Sequence, residues 1–499
     1  MSKRLVLVFC VLFALAMAVP AFAAVQNIKV SGDILARSIV RNNFDLTKGA
    51  GTSGEDEISV INSVVRVRID ADLTDNVSTV VRLINERNWS NDDEESSSDN
   101  TNTDIDLDLA YVTLKEFLYS PLTLSIGRQE LHFGNDMIIG DGVGAPSKAW
   151  VSGAVGTNQT TNYSEATGYG AVNGDLAYRK AFDALRATLN YDPLVVDIVA
   201  AKISENNVTG AESADDIDLY GINIGYQFSD KWQTKTEAYY WAKINSDNEV
   251  SNTSETYSAK SDQVHTFGLR ASTMPIKTLN LQQEFAYQGG RKALYAGAGN
   301  GSETRDRSAW AAQTVVMYTP DMEKIKKYSP TVGLIYSFFS GDANIVNLDP
   351  DKTWHQWDPM FENQTNGHII NALFPATNAH NIDLMLKFSP IEDVTMQTDY
   401  VYLCMASANS SDLSSGTAFN DYDNGSGYLF KANKKELGQE LDMKLTYDYT
   451  EDVQFGLLSG WFWPGSAFAK RTTLGGAGSG SYKTRVSASE VIASMNVKF

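Results

Sequence analysis

The sequence predicts an all-β protein, a transmembrane antiparallel β-barrel of about 18 strands with short periplasmic turns and long extracellular loops. Three observations predict it. Apolar and polar residues alternate with period two along nearly the whole chain. The alternating segments run to roughly 10–14 residues, where a soluble strand averages about 5–6 and a tilted spanning strand needs about 9–11. Finally, the connections alternate between short and long, as in outer-membrane barrels.

The first element is an export signal. Lys3 and Arg4 precede an apolar run from Leu5 to Val19, and Ala21-Phe22-Ala23 has the small-x-small pattern of a cleavage site. Residues 1–23 are therefore set aside, and residues 24–499 are expected to form one barrel domain. Cys10 leaves with the signal, so Cys404 is the only cysteine of the mature chain and no internal disulfide can form.

Alternation is plain in particular segments. Between Ile217 and Phe228, Tyr220, Ile222, Ile224, Tyr226 and Phe228 share one face and Gly221, Asn223, Gly225 and Gln227 the other. Leu441, Met443, Leu445, Tyr447 and Tyr449 oppose Gly438, Glu440, Asp442, Lys444, Thr446 and Asp448. Ile105, Leu107, Leu109 and Tyr111 oppose Asp104, Asp106 and Asp108. Successive strand side chains point to opposite sides, so each segment has an oily and a wet face. The last segment, ending in Phe499, puts Val491, Ala493, Met495 and Val497 on one face with it. Such a terminus is similar to the strand by which outer-membrane proteins engage the barrel-assembly machinery.

Short connections fall near 72–76, 117–121, 192–193, 229–231, 273–277, 320–330, 389–393 and 450–452. Long ones span roughly 42–57, 90–103, 130–180, 204–216, 243–262, 289–306, 341–380, 407–435 and 464–485. Tyr191, Phe228, Tyr318, Phe388, Tyr449 and Trp232 cluster beside short turns, and Tyr239, Trp241, Trp461 and Trp463 lie toward long loops, as two aromatic girdles. An even strand count leaves both termini in the periplasm of a bacterial, Gram-negative, outer membrane, in contact with lipid and lipopolysaccharide. Closure supplies every backbone N–H and C=O with a partner in lipid.

Composition narrows the function. Acidic residues number 61 and basic residues 41, for a net charge of −20, which argues against a nucleic-acid partner. His132, His265, His355, His368 and His380 show no metal spacing, and neither a G-x-S-x-G elbow nor a P-loop is present. No enzyme and no cofactor are expected.

A barrel of this strand number is too wide for side chains to fill, so its wet face carries the function. That face collects Asn62, Arg66, Arg68, Asp70, Arg82 and Glu86, then Arg186, Asp197, Glu237, Arg270, Gln282 and Glu284. Asp383, Lys387, Gln397, Asp399, Glu440, Asp442 and Lys444 follow. Arg66, Arg68 and Arg82 fall on adjacent strands and one face, a ladder that suits carboxylates. The row Asp104, Asp106 and Asp108 would equally neutralise it, and cross-strand pairing is the bland alternative for about half of the whole set. In two loops the alternatives also stay open. Asn91 to Asn100 (NDDEESSSDN) offers carboxylates to a hard cation but lacks EF-hand spacing, so a solvated loop is the simpler reading. Trp354, Trp357, Phe361 and Phe374 either stack on sugar faces or pack a loop into the barrel mouth.

One stretch, Gly127-Arg128-Gln129-Glu130-Leu131-His132-Phe133-Gly134 followed by Asn135-Asp136-Met137-Ile138-Ile139-Gly140, resembles the alginate-export family of outer-membrane barrels. Arg179 to Arg186, with Phe182-Asp183-Ala184, resembles that family's next strand, Ala184 standing for a glycine; Leu373-Phe374-Pro375, Thr377-Asn378 and His380 resemble a loop of its members. Members often carry a basic residue where Met137 stands. The resemblance implies an 18-stranded barrel secreting an anionic polysaccharide through an arginine-lined pore, with Arg128 among the pore residues. Parity instead sets Arg128 beside Leu124 and Ile126 on the lipid side, so either Gly127 marks a bulge that turns it inward or Arg128 lies above the membrane.

The expected function is a passive channel for an anionic saccharide or polysaccharide, working with periplasmic export partners. An uptake porin for small sugars or organic acids is the alternative, and a plugged, non-conducting structural or adhesive barrel a third reading.

Overall fold

The computed structural model describes residues 26–44, 46–48, 57–89, 105–142, 174–204, 217–246, 251–252, 255–256, 261–295, 302–343, 353–408, 413–414, 429–431, 433–468, 472–473 and 481–499. Eighteen antiparallel strands form one sheet. In chain order they are β1 (Asn27–Asn42), β2 (Glu57–Thr74), β3 (Val77–Asn88), β4 (Asp106–Leu114), β5 (Leu122–Gln129), β6 (Phe182–Asn190), β7 (Leu194–Ser204), β8 (Ile217–Gln227) and β9 (Lys235–Asn245). The second half comprises β10 (Asp262–Ile276), β11 (Leu279–Tyr295), β12 (Ser302–Tyr318), β13 (Thr331–Phe339), β14 (Ala379–Ile391), β15 (Val394–Met405), β16 (Glu436–Asp448), β17 (Val453–Pro464) and β18 (Ala488–Lys498). Each strand pairs with its chain neighbours, and β1 pairs with both β2 and β18, which closes the barrel. Phe499 completes the seam: its N–H donates to the Gly32 carbonyl (3.0 Å) and its carbonyl accepts from the Gly32 N–H (2.8 Å). A Cβ at Gly32 would lie 2.5 Å from that phenyl ring, so the close approach needs glycine.

The two faces follow from residue type. Ile69, Leu83, Ile126, Leu185, Ile198, Ile224, Leu269, Phe285, Leu334, Leu384, Met443, Leu457 and Met495 are exposed outward, an apolar belt fit for lipid. Trp232, Tyr191, Tyr318 and Tyr449 stand exposed beside the short turns, and Trp461 and Trp463 toward the loop end. Two expectations are corrected here. Tyr239 and Trp241 belong to no outer girdle; they point inward and are buried, and Tyr240, tilted against Phe267 with ring centroids 4.9 Å apart, takes the outward place. Their bulk is received by glycines on adjacent strands, since a Cβ at Gly221 would lie 2.0 Å from Trp241 and one at Gly268 2.1 Å from Tyr239. In β4 the strict alternation also breaks. A register shift opposite Arg82/Leu83 leaves Asp108 as a bulge, so Leu107 is exposed outward while Leu109 is buried inward.

The main apolar cluster of the described residues lies inside the barrel, at its loop end. It joins inward-facing wall residues such as Phe182, Val199, Trp241 and Phe462 to Leu131, Met137, Ile138, Ile139, Trp357, Phe361, Ile369, Leu373 and Phe374 from two loops. A short helix α1 (Glu323–Lys326) sits in one turn, and α2 (His368–Leu373) lies in the second of these loops. The barrel interior is thus a wall of polar residues crossed at one level by an apolar insert.

Candidate functional site

Lumenal charge runs round much of the wall and includes two dense arcs. The first spans β1–β3. Arg66 Nε donates to Asp33 Oδ1 (2.9 Å) and Arg68 Nη2 to Asp70 Oδ1 (2.8 Å). Arg82 donates to Asp108 and, at 2.5 Å, to Glu130. Arg41 bridges Asp175 and Glu490 (2.6 Å each), and Arg179 reaches Asp106 (2.5 Å) and Glu86 (3.3 Å). The Tyr178 ring lies under Arg66 at 4.7 Å. A guanidinium leaving bulk water needs a carboxylate beside it, so this wall folds as a ladder of pairs. Burial separates the members: the Arg82 side chain is 10% exposed, those of Arg66 and Arg68 20% and 34%. Of the proposed acidic row, Asp106 and Asp108 neutralise Arg179 and Arg82, and Asp104 lies outside the described residues.

Further round the wall, Arg186 pairs with Asp197 (2.8 Å), and Arg270 lies 3.1 Å from Glu237 and 3.8 Å from Glu284 while donating to Gln282 (2.8 Å). Arg128 does not join them. It faces outward, pairing with Asp183 (2.7 Å), because β5 keeps its register with Ala110 and Asp183 despite the φ of +122° at Gly127. That glycine serves closeness instead: a Cβ there would meet the Ala110 carbonyl oxygen at 2.2 Å.

The second arc spans β14–β16. Asp383, Asp399, Glu440 and Asp442 face inward, with Asp399 directly opposite Asp442. Toward the turn end, Lys387 and Lys444 flank Gln397 in one register row. Glu440 accepts the N–H groups of Ile369 (2.8 Å) and Ile370 (2.7 Å), and Asp442 that of His368 (3.0 Å), so carboxylates hold the first turn of α2.

Two loops meet inside the barrel. Phe361 N–H donates to Ile138 O (3.0 Å), and Gly140 and Asp141 donate to Phe361 O (2.8 and 3.0 Å). Gln364 contacts Gln313 on β12, and Asn135 accepts from Arg270 (2.7 Å). Asp358 pairs with Lys243 (2.6 Å); burial opposes its charge, but Lys243 and Arg307 outweigh that and hold its pKa at about 2. At the loop end, a hydrogen bond with Asp136 raises the pKa of His132. The Gly127–Gly140 stretch is therefore the segment that leaves the wall after β5 and turns inward: Gln129 donates to Ala184 O (2.9 Å), and Phe133 packs on Trp241 (4.9 Å). Met137 is buried in that apolar insert, which explains an uncharged residue there. Trp354, Trp357, Phe361 and Phe374 are all buried, so they pack the mouth and offer no free face to a sugar. Thr377 and Asn378 tie the second loop down, Asn378 exchanging hydrogen bonds with Ser407 (3.1 and 2.8 Å). The acidic segment 91–100 lies outside the described residues, and among those described no cluster could hold a metal ion.

Sequence reasoning missed Asp33, Arg37, Arg41 and Glu490, and the Lys243–Asp358 pair. Parity would have found the first four, since each alternates with Ile34, Val40 or Val491. The last joins a strand to a loop and leaves no periodic trace.

The sequence profile of the family described as alginate export matches residues 27–475. No curated protein matches the chain. Among solved structures, Pseudomonas aeruginosa OccK8 (OprE) is similar at 10% identity and TM-score 0.49, covering 95% of this chain and 98% of that one. P. aeruginosa OccK2 (OpdF), solved in complex with glucuronate, gives 12% identity and TM-score 0.48 over 95% and 99%. Acinetobacter baumannii OccAB4 gives 12%, 0.45, 95% and 99%.

Proposed function

The chain belongs to the alginate export family, and from that premise we propose that this outer-membrane channel passes an anionic saccharide or polysaccharide outward by passive diffusion, with both of its termini in the periplasm. It is a channel, not an enzyme. The observation that carries the reading is the pair Arg66 and Arg68, adjacent inward positions of β2 that keep their guanidinium groups partly open to the lumen. Each is held by one aspartate yet retains free donor directions for a passing carboxylate. In a partly dehydrated passage that attraction exceeds its value in bulk water. The solute, periplasmic export proteins, lipopolysaccharide around the belt and the assembly machinery at Phe499 complete the proposed partners.

The test is a salt-gradient reversal potential on the Arg66→Gln/Arg68→Gln/Arg82→Gln variant in planar bilayers. The reading expects a shift toward cation preference and weaker block by oligouronates, most clearly at low salt, because screening acts over about 8 Å at physiological ionic strength. Unchanged values of both would reduce these arginines to structural pairs.

An uptake porin for small organic acids is the second reading. The insert of residues 130–142 and 353–378 favours it, since a lumen crossed by packed loops admits a small solute more easily than a polymer. Flux of monomeric against oligomeric uronate into liposomes separates the two.

A further inference from the structure

The strongest unexplained charge lies on the inward face of β11 and β12, at their loop ends. There β12 outruns β13, with which it pairs only from Ala311 to Tyr318. Trp354 takes the vacant edge: its N–H donates to Asp306 O (2.8 Å) and its carbonyl accepts from Ser308 (2.9 Å). Beside it, Lys292 and Arg305 stand directly opposite one another in the β11–β12 register. Both cations lie near the Trp354 ring, at 5.8 and 5.9 Å from its centroid. Arg307, two residues on from Arg305, shares the same face.

Two members of this group share a carboxylate. Asp262 accepts from Arg307 (2.9 Å) and pairs with Lys292 (3.0 Å). Arg305 is 1% exposed, and among the described residues none of its three guanidinium nitrogens has a hydrogen-bond partner. A buried unpaired charge is among the costliest arrangements in a protein, and two cations directly opposed on one sheet face add repulsion. Such a group calls for an explanation, and an ion from outside the chain supplies one.

We propose that Arg305, assisted by Lys292 and roofed by Trp354, binds an oxyanion of the carboxylate or phosphate class. The guanidinium fork matches two oxygens of such a group. Asp262 fixes Lys292 and Arg307 and leaves Arg305 as the receiving side chain. The bound anion also holds the Trp354 segment on the β12 edge, so occupancy and loop seating are coupled. This site goes beyond the transport reading and stands whether or not a saccharide moves through the barrel.

The test is calorimetric titration of the refolded full-length protein in detergent at low salt. The probes are inorganic phosphate, monomeric glucuronate and, as a neutral control, glucose. The site predicts saturable binding of one oxyanion per chain and none of glucose. Phosphate binding without glucuronate identifies a free inorganic ion; tighter glucuronate identifies the carboxylate of a sugar acid. Arg305→Gln should weaken binding at least tenfold, and Arg305→Lys, which keeps charge but loses the fork, by less. Lys326→Gln, on the exposed turn helix α1, should bind as the native chain does, which separates this site from a general loss of positive charge. Heat-modifiable gel migration verifies that each barrel is folded. Absence of saturable oxyanion binding to the native chain overturns the proposal, as does native-like affinity in both Arg305 variants or equal loss of binding in the Lys326 variant.

Discussion

Single side chains decide which face of each strand meets lipid. Leu445 and Lys444 are neighbours on β16 with opposite destinations: Lys444 shares the inward row with Asp442, Leu445 the outward row with Met443. Leu445→Arg should impair assembly, because arginine on the lipid face costs about 2–4 kcal/mol at the midplane. Lys444→Ala should assemble normally. Heat-modifiability of the two variants in membranes checks this, and equal tolerance would invert the faces. Residue-level reading from sequence worked where alternation was unbroken, as for Arg66 and Asp442. It failed where one residue changed phase or where size overrode type. The bulge at Asp108 turned Leu109 inward, and Trp241 points inward because Gly221 leaves it space across the pair. Neither event has a one-strand signature. The parity of Arg128 was legible and correct for its outward placement; the family resemblance pointed the other way.

The two inserted loops are the elements that shape the passage. Their existence was legible as long aromatic-rich connections, and their docking was not, since it rests on pairs between distant segments such as Ile138 with Phe361. The second loop is held at one end by Glu440 under α2 and at the other by Asp358 on Lys243. Glu440→Ala removes two acceptors, on the order of 1–3 kcal/mol in all. Larger and noisier single-channel steps are expected, and steps identical to the native ones would show that α2 does not limit the passage. The Asp358 pair carries a pH signature. Its folded pKa of about 2 lies below the unfolded value of roughly 3.9, so its stabilisation is complete above the latter and disappears as pH falls through the former. Asp358→Asn should therefore open the loop relative to the native chain equally at pH 8 and pH 5. The difference should close as pH approaches 2. A difference that vanishes already between pH 8 and 5 would mean that another group anchors the loop.

For the whole molecule, strand number and closure were readable from segment length, alternation and connection lengths, because a barrel wall repeats one rule eighteen times. The proposed orientation in the membrane, with the short turns periplasmic, rests on the same layout. In a Cys404→Ala background, cysteines placed at 207 and 421 should label from outside intact cells, and those placed at 230 and 451 should not. The reverse pattern would turn the barrel over. Passage itself is the central claim, because an apolar insert lies in the lumen beside a wall arc on which Arg66 and Arg68 stay partly open. Single-channel recording of the refolded mature chain in a planar bilayer tests that claim most directly. The account predicts discrete ohmic steps that oligouronates block and neutral glucose oligomers do not. A correctly folded barrel that inserts without conducting would contradict it and leave a plugged, structural barrel.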